Sequence, residues 1–481
     1  MDRIKLDVDR VIAEVNPNIY GGFIEHLGRC IYGGIYDEDS KNTDSEKIRI
    51  DVLDAVRQLS IPNLRWPGGN FVSGYNWLDG IGPVASRPSK LNLAWNGVES
   101  NRFGTDEFIA FCRKLKTEPY ICVNMGTGTM EEAAGWVEYC NGTENTYYAG
   151  LRRKNGNEDP FSVKYWGLGN EVYGNWQIGH KGAGEYARQA LEFGKMMKMV
   201  DRSIELIACG AGEPNWDRII LETLYGLVDY ISIHIYLGLH QPMKGYNSMM
   251  EETVRFENQI KTLRAVIETV AAQRPKQQRP MIAVDEWNVW YRAMGDCQLE
   301  ERYNLEDAVA VACCLNVFHR HADMITMANL AQLVNVIAPI FTGPEKLFLQ
   351  TIYFPLLLYR RENGDKSLDL LVETGGYQSE RVGWVSYLDT AATFDESTRT
   401  ITLNVVNRHE TESRMAAIEG QNGNFAPNVS SFTIYNDDVK VENSFDSSPV
   451  GIIEGKTEAE KNRLVYKFPP HSVTVLKLQL G

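Results

Sequence analysis

The sequence predicts an α/β protein: a (β/α)8 TIM barrel over residues 16–366, followed by a C-terminal β-sandwich over 367–481 and joined to it by the N-terminal segment 1–15. Three observations carry this expectation. Short apolar runs alternate with amphipathic stretches, the pattern of repeated βα units. The runs number eight, the count that closes a barrel. From about residue 367 the helical stripes stop and period-two segments begin, which is the texture of a sandwich.

In chain order, the segment from Lys5 to Val15 is β-like and precedes the first barrel strand, so it is expected to cross over and pair with the sandwich. The eight strand candidates are "IYGGFIE" (19–25), "NLRWP" (63–67), "PYICVN" (119–124), "VKYWGLG" (163–169), "ELIACG" (205–210), "YISIH" (230–234), "MIAVDE" (281–286) and "MITMAN" (324–329). Helices are expected between them. Over 46–59, Val52, Leu53, Val56 and Leu59 share one face, and over 105–116 Thr105 is the expected N-cap of a stripe made by Phe108, Cys112 and Leu115. In the sandwich, "TITLNVV" (400–406) alternates Ile401, Leu403 and Val405 against polar residues, and "SFTIYN" (431–436) and "SVTVLKLQL" (472–480) follow. There is no internal repeat, low-complexity tract or long flexible linker.

Composition narrows the function classes. With 43% hydrophobic and 23% charged residues the chain can bury a sizeable core. A net charge of −14 argues against a nucleic-acid partner, which needs a basic surface, and favours a neutral one. The N-terminal "MDRIKLDVDRVIAEV" has no apolar core of a signal peptide, and no window supplies about eighteen uninterrupted apolar residues, so neither export nor membrane insertion is expected. The eight cysteines (30, 112, 122, 140, 209, 297, 313 and 314) lack C-x-x-C spacing and read as reduced core thiols of a cytoplasmic protein.

In a (β/α)8 barrel the chemistry sits at the C-terminal ends of the strands, where the βα loops converge. The candidates there are Glu25 and His26, Arg65 with "PGGN" (67–70), Asn124, Asn170 and Glu171, His234 and Tyr236, Asp285 and Glu286, and Asn329 with Gln332. Several have ordinary explanations. Glu25 alone suits a loop or a helix N-terminus, "PGGN" a turn, and Trp166 and Trp287 the core. His319 and His321 in "HRHAD" have no third ligand nearby and read as a surface cluster at a helix C-terminus, so no metal is expected. The sequons at Asn141 and Asn428 mean little without a secretion signal. Glu171 and Glu286 are harder to absorb, because each closes an apolar strand, on strands four and seven, and those strands face each other across the mouth. Two carboxyl groups flanking a glycosidic bond are the minimum machinery for its hydrolysis.

At these residues the sequence resembles the intracellular α-L-arabinofuranosidases of glycoside hydrolase family 51 over essentially its whole length. The matching stretches are "NIYGGFIEHLGRCIYGGIY", "LRWPGGNFVSGYNWLDGIGP", "LAWNGVESNRFGTDEF", "KYWGLGNEVYGNWQIGH", "DEWNVWY", "MANLAQLVNVIAPI" and "PPHSVTVLKL". The resemblance implies a retaining mechanism in a (β/α)8 barrel with a jelly-roll-like sandwich, and often a hexamer; the reading built on it is an exo-acting enzyme, whose chemistry requires no metal or organic cofactor. The resemblance also implies that Glu171 is the acid/base and Glu286 the nucleophile. Glu25, Arg65, Asn70, Asn170, Tyr236 and Gln332 would bind the furanose or orient the two glutamates, with Trp95 and Trp290 lining the pocket. The expected substrate is an arabinoxylan or arabinan oligosaccharide. "CGAGEPNWD" (209–217) matches no motif of the family. Two other readings stand beside this one: an endo-acting retaining β-glycanase with an open cleft, and a non-catalytic carbohydrate-binding protein, against which two mutually repelling carboxylates speak.

Overall fold

A computed structural model describes residues 1–239, 242–293 and 298–481. Eight strands close into a barrel: β1 (Gly21–Phe23), β2 (Asn63–Trp66), β3 (Glu118–Val123), β4 (Tyr165–Leu168), β5 (Glu205–Ala208), β6 (Tyr230–Leu237), β7 (Met281–Val289) and β8 (Ile325–Ala331). Each overlaps one of the eight expected runs, and neighbouring strands are parallel throughout. The barrel is filled rather than open, with Tyr120, Tyr165, Ile207, Tyr230, Ala283 and Met327 packed against one another.

Asn329 does not reach the mouth. β8 continues to Ala331, and the Asn329 amide donates to Asn63 Oδ1 at 2.6 Å and to the Gly22 carbonyl at 2.8 Å, at the level where β2 begins. Asn63 in turn donates to the Asn18 carbonyl at 3.1 Å, and a Cβ on Gly21 would fall 2.6 Å from the Asn63 side chain. This polar layer therefore belongs to the barrel floor. Asn124 is likewise a turn former, its Oδ1 accepting the backbone N–H of Gly126 and Thr127.

The first expected helix is shorter than its hydrophobic stripe, running Ile50–Leu59, because Lys47 sits at φ 64° and Arg49 is extended. Its buried face is Val52, Leu53, Ala55, Val56 and Leu59. In the helix Thr105–Leu115 the cap is Gly104, not Thr105: the Gly104 N–H donates to Glu107 at 2.8 Å, while the Thr105 hydroxyl accepts the indole N–H of Trp136 at 3.1 Å.

The C-terminal strands form two main sheets and a separate hairpin, Gly376–Ser379 with Gly383–Ser386. Asp2–Leu6 lies inside the smaller main sheet, antiparallel to Leu371–Glu373 and parallel to Arg414–Gly420. Val11–Glu14 forms the edge of the seven-stranded sheet, beside Lys366–Leu368. Ile4, Leu6, Ile401, Leu403, Leu476 and Leu478 fill the space between the sheets. The polar residues that alternate with them are not turned to water. Thr402 and Asn404 are buried against the barrel's last helices, where the Thr402 hydroxyl donates to the Glu362 carbonyl and the Asn404 amide to Asn363.

That contact also overturns the surface assignment of "HRHAD". His319 is fully buried, with Nε2 2.7 Å from the Tyr20 hydroxyl and its carbonyl accepting from Ser367 at 2.6 Å. Burial, helped by the nearby Arg320, pushes its pKa down to about 3, so it stays neutral. His321 pairs with Glu257 at 3.1 Å. The helix ends against the sandwich rather than in solvent. Seven cysteines are free and buried, and Cys297 lies outside the described residues. Among the described residues no helix is long and apolar enough to cross a membrane.

Because Ile4 is wholly buried in a strand that bridges two distant segments, Ile4→Ala should lower the unfolding free energy by about 2–5 kcal/mol. Denaturant titration checks this, and a variant with the parental midpoint would mean that the N-terminal strand contributes little to the fold.

Candidate active site

Strict strand alternation would turn Asp285 and Glu286 to opposite faces of the barrel. β7 breaks the alternation. Against β6, the register passes from Ser232 with Ala283 to His234 with Glu286, and against β8 from Val284 with Ala328 to Trp287 with Leu330, so β7 carries one extra residue relative to both neighbours. A bulge of this kind re-aims side chains. Here both carboxylates reach the same guanidinium: Arg65 Nη1 donates to Glu286 Oε2 at 2.8 Å, and Arg65 Nε lies 3.7 Å from Asp285 Oδ2. Glu286 therefore does not close its strand, which continues to Val289.

Arg65 comes from the end of β2 and is almost wholly buried. Its Nη2 donates to Asn170 Oδ1 at 2.5 Å, and its guanidinium lies over the Phe23 ring at 4.5 Å. The opposed Asp285 also accepts the Tyr120 hydroxyl at 2.7 Å. Burial works against the Asp285 carboxylate, but Arg65, His234 and Tyr120 outweigh it and hold its pKa down at about 2. The second oxygen of Glu286 accepts the Tyr236 hydroxyl at 2.7 Å, and the Tyr236 ring meets Trp290 edge-on at 5.2 Å.

Across the mouth, β4 gives way to Gly169 and then Glu171, which adopts φ 42°. A left-handed conformation at a residue with a Cβ costs roughly 1–2 kcal/mol. Surrounding bonds hold it, including Gly174 N–H to the Glu171 carbonyl at 2.7 Å and the Gln177 amide to the Asn170 carbonyl at 2.8 Å. The carboxylate accepts the Trp176 indole N–H at 2.8 Å and meets His234 Nδ1 at 2.9 Å, with the Tyr173 hydroxyl at 3.4 Å. Burial raises the Glu171 carboxyl, but the hydrogen bond and charge of His234, with Trp176 and Arg65, leave it lowered overall.

His234 is the centre of this half. Its Nδ1 faces Glu171, and also Glu286 at 3.5 Å, while Nε2 lies 3.3 Å from Asp285. Burial alone would make it less basic; the carboxylates of Glu286, Asp285 and Glu171 outweigh that and raise its pKa to about 10. One ligand atom each of Glu171, His234 and Glu286 lie within 4.8 Å of one another, a spacing a metal could use. Both ring nitrogens of His234 are already engaged, Nδ1 by Glu171 and Nε2 by Asp285.

Glu25 closes the far side. It accepts Phe71 N–H at 3.0 Å, the Trp95 indole at 2.9 Å and the Gln332 amide at 3.2 Å, and Gln332 Oε1 accepts its backbone N–H at 3.0 Å. The paired glycines of "PGGN" make room for it: a Cβ on Gly68 would sit 2.6 Å from Glu25 Cγ. Burial pushes the Glu25 carboxyl up; the Phe71 and Trp95 bonds pull it back and the charge of Glu286 adds to it, leaving a pKa of about 7. The Asn170 amide nitrogen and the Trp290 indole nitrogen are buried without a partner among the described residues. Asn70 heads the turn after Gly69, half-buried, and its side chain makes no hydrogen bond among the described residues.

The structure thus gathers Glu25, Arg65, Trp95, Asn170, Glu171, Tyr236, Glu286, Trp290 and Gln332 around one mouth, with Asn70 at its edge. Sequence reading placed His234 and Asp285 at strand ends without assigning them to the site, and omitted Tyr120, Tyr173 and Trp176. Only the bulge reveals that Asp285 faces inward, and Trp176 stands in a loop without periodicity.

Two family models match, one described as the alpha-L-arabinofuranosidase 1 domain over residues 55–260 and one as the alpha-L-arabinofuranosidase C-terminal domain over 285–472. The chain is 42% identical to alpha-L-arabinofuranosidase C of Emericella nidulans, with 98% of this chain and 97% of that protein covered. It is 38% identical to the intracellular exo-alpha-(1->5)-L-arabinofuranosidase 1 of Bacillus subtilis, covering 99% of each. The solved structure of the thermostable GH51 alpha-L-arabinofuranosidase from Thermotoga petrophila superposes with a TM-score of 0.94 at 39% identity over 100% of both chains.

The imidazolium at His234 carries a pH signature. A raised pKa stabilises the fold fully below the unfolded value of about 6.5 and loses that contribution as pH climbs to about 10. The stability gap between the parent and His234→Gln should therefore be widest near pH 6 and narrow towards pH 10. Melting curves at both ends check this, and a gap independent of pH would mean that His234 is neutral in the folded protein.

Proposed function

The chain belongs to the α-L-arabinofuranosidases of glycoside hydrolase family 51, and from that premise we propose that it releases terminal non-reducing arabinofuranosyl residues from arabinoxylan or arabinan oligosaccharides by a retaining double displacement. The observation that carries the stereochemistry is the carboxylate spacing. An oxygen of Glu171 lies within 4.8 Å of one of Glu286, close to the roughly 5–5.5 Å of retaining enzymes and short of the roughly 6.5–9.5 Å that leaves room for an inverting water.

In this reading a Glu286 oxygen attacks the anomeric carbon as the glycosidic C–O bond breaks, with Arg65 and Tyr236 holding the carboxylate on line. The leaving oxygen takes a proton from Glu171. That proton is shared with His234, 2.9 Å away, whose basicity depends on the charge of Glu286. As Glu286 becomes an ester its charge disappears, His234 weakens as a base, and the proton moves towards Glu171 when the leaving group needs it. In the second step Glu171 takes a proton from water, which attacks the same carbon and frees Glu286. The partnerless Asn170 and Trp290 N–H groups face the need to hold sugar hydroxyls.

Exo action follows from the asymmetry of the mouth. Glu25 is 3% exposed behind Trp95 and Gln332, whereas Trp176, beside Glu171, is 58% exposed. A chain end fits inward, and the remainder leaves past Glu171. The Bacillus relative is named intracellular and exo-acting, which supports the same mode here and a cytoplasmic site of action. All the proposed catalytic and binding residues belong to 16–366, with the sandwich of 367–481 and its N-terminal strands as support. A hexameric assembly is part of this reading, on the family resemblance.

Anion rescue tests the roles. With 4-nitrophenyl α-L-arabinofuranoside, Glu286→Ala should lose activity by several powers of ten, and azide entering opposite the leaving group should restore turnover with inversion, giving a β-azide. Glu171→Ala should still form the glycosyl-enzyme from this activated substrate, and azide should then attack from the vacated face to give the retained α-azide. Azide products of the opposite configurations would exchange the two roles, and rescue of neither variant would remove them.

A further inference from the structure

The helix Tyr246–Ala272 and the hairpin made by Gly376–Ser379 and Gly383–Ser386 enclose a groove of about 470 Å³ that the chemistry above does not use. That volume lies within the range of ligand sites. Its feature is Trp384, 56% exposed on the hairpin. A large ring left in water forfeits the stabilisation that burial would give. This one is nevertheless held in place. A Cβ on Gly376 would fall 2.7 Å from Trp384 Cζ2, so the indole rests on the bare backbone of the facing strand. Arg381 at the hairpin turn donates to Glu251 at 3.0 Å, to Glu252 at 2.6 Å and to the Ser248 carbonyl at 3.0 Å, which fastens the hairpin to the helix.

The charged groups lining the groove are already paired. Arg320 bonds Glu257 at 2.9 Å and Asp389 at 3.0 Å, Lys261 lies 3.2 Å from Glu257, and Arg408 lies 3.4 Å from Asp389. What remains for a ligand is the indole plus two neutral polar groups: Asn258, exposed on the helix, and the Thr374 hydroxyl, which is buried without a partner among the described residues. An anion or a cation would have to break an existing pair. A neutral chain with C–H faces for the ring and hydroxyls at its edges would not. The groove also continues. Asn258 and Lys261 line a second groove of about 680 Å³ that reaches Pro214 and Asn215, in the stretch "CGAGEPNWD" that follows β5 at the barrel mouth.

We propose that the Trp384 groove is a second carbohydrate site, which holds the pentose chain of arabinan or arabinoxylan on the flank of the barrel beside the helix Tyr246–Ala272. The identity of the chain rests on the arabinofuranosidase reading; the site itself rests on the groove.

The test uses the full chain and Trp384→Ala, with Asn258→Ala as a second variant on the opposite wall. In native gels containing arabinan or arabinoxylan the parent should be retarded and both variants should run faster. kcat/KM on the polymer should fall on the order of 3- to 10-fold while kcat/KM on 4-nitrophenyl α-L-arabinofuranoside stays unchanged. Absence of retardation in the parent, or an equal loss on both substrates, would overturn the proposal. So would a smaller mass for Trp384→Ala on size exclusion, since the groove would then be an interface between copies of the chain. A parent that failed to cleave the aryl arabinofuranoside would overturn the catalytic reading instead, and gel retardation would still judge the groove.

Discussion

Four carboxyl groups, Glu25, Glu171, Asp285 and Glu286, converge in one largely buried mouth, and the side chains around them answer to the cost of that arrangement. Uncompensated, like charges at such separations in a water-poor site would drive protons onto most of them. Two cations divide the work. Arg65 touches Asp285, Glu286 and the amide that precedes Glu171, and His234 touches Asp285, Glu171 and Glu286. Glu25 is beyond their direct reach and is raised to about 7 instead. One mouth therefore holds carboxyl groups pushed in opposite directions, Glu171 and Asp285 down and Glu25 up.

The bulge in β7 is the backbone's part in that solution. Without an extra residue between Val284 and Glu286, either Asp285 or Glu286 would point into the helical shell, and Arg65 would face one carboxylate fewer. The αL conformation of Glu171 has the same logic on the opposite strand. A glycine would adopt it freely, but a glycine carries no carboxyl group, so the local cost is accepted and the Gln177 and Gly174 hydrogen bonds maintain it. Irregular backbone thus occurs where chemistry needs two side chains that regular strands would separate.

Much of this was legible in the sequence. The eight apolar runs located every barrel strand because a strand buried on both faces must be apolar throughout. The flanking carboxylates and amides located most of the mouth because barrel geometry sends strand ends there. What stayed hidden depends on contacts between distant segments. Asn329 looked like a strand-end residue but lies two residues before the end of β8, bonded to Asn63. His319 looked exposed because a helix end usually is, yet the sandwich covers it. What Thr402 and Asn404 face was not readable either, because alternation shows which residues are polar and not what they meet.

The same covering explains why the sandwich is more than an appendage. Its seven-stranded sheet gives one face to the inter-sheet core and the other to the helices Leu305–Arg320 and Tyr353–Glu362, with Val406, Val473 and Val475 joining the barrel's own core. The helix Leu305–Arg320 lies between β7, which carries Glu286, and β8, which leads to Gln332. Asp389 of the sandwich accepts from Asn316 and Arg320 of that helix, so a rigid sheet backs the strands that hold the nucleophile candidate. On the opposite half of the mouth Trp176, which donates to Glu171, stands exposed. The division suits a site whose inner wall must fit one sugar closely while its outer rim admits whatever chain that sugar is attached to.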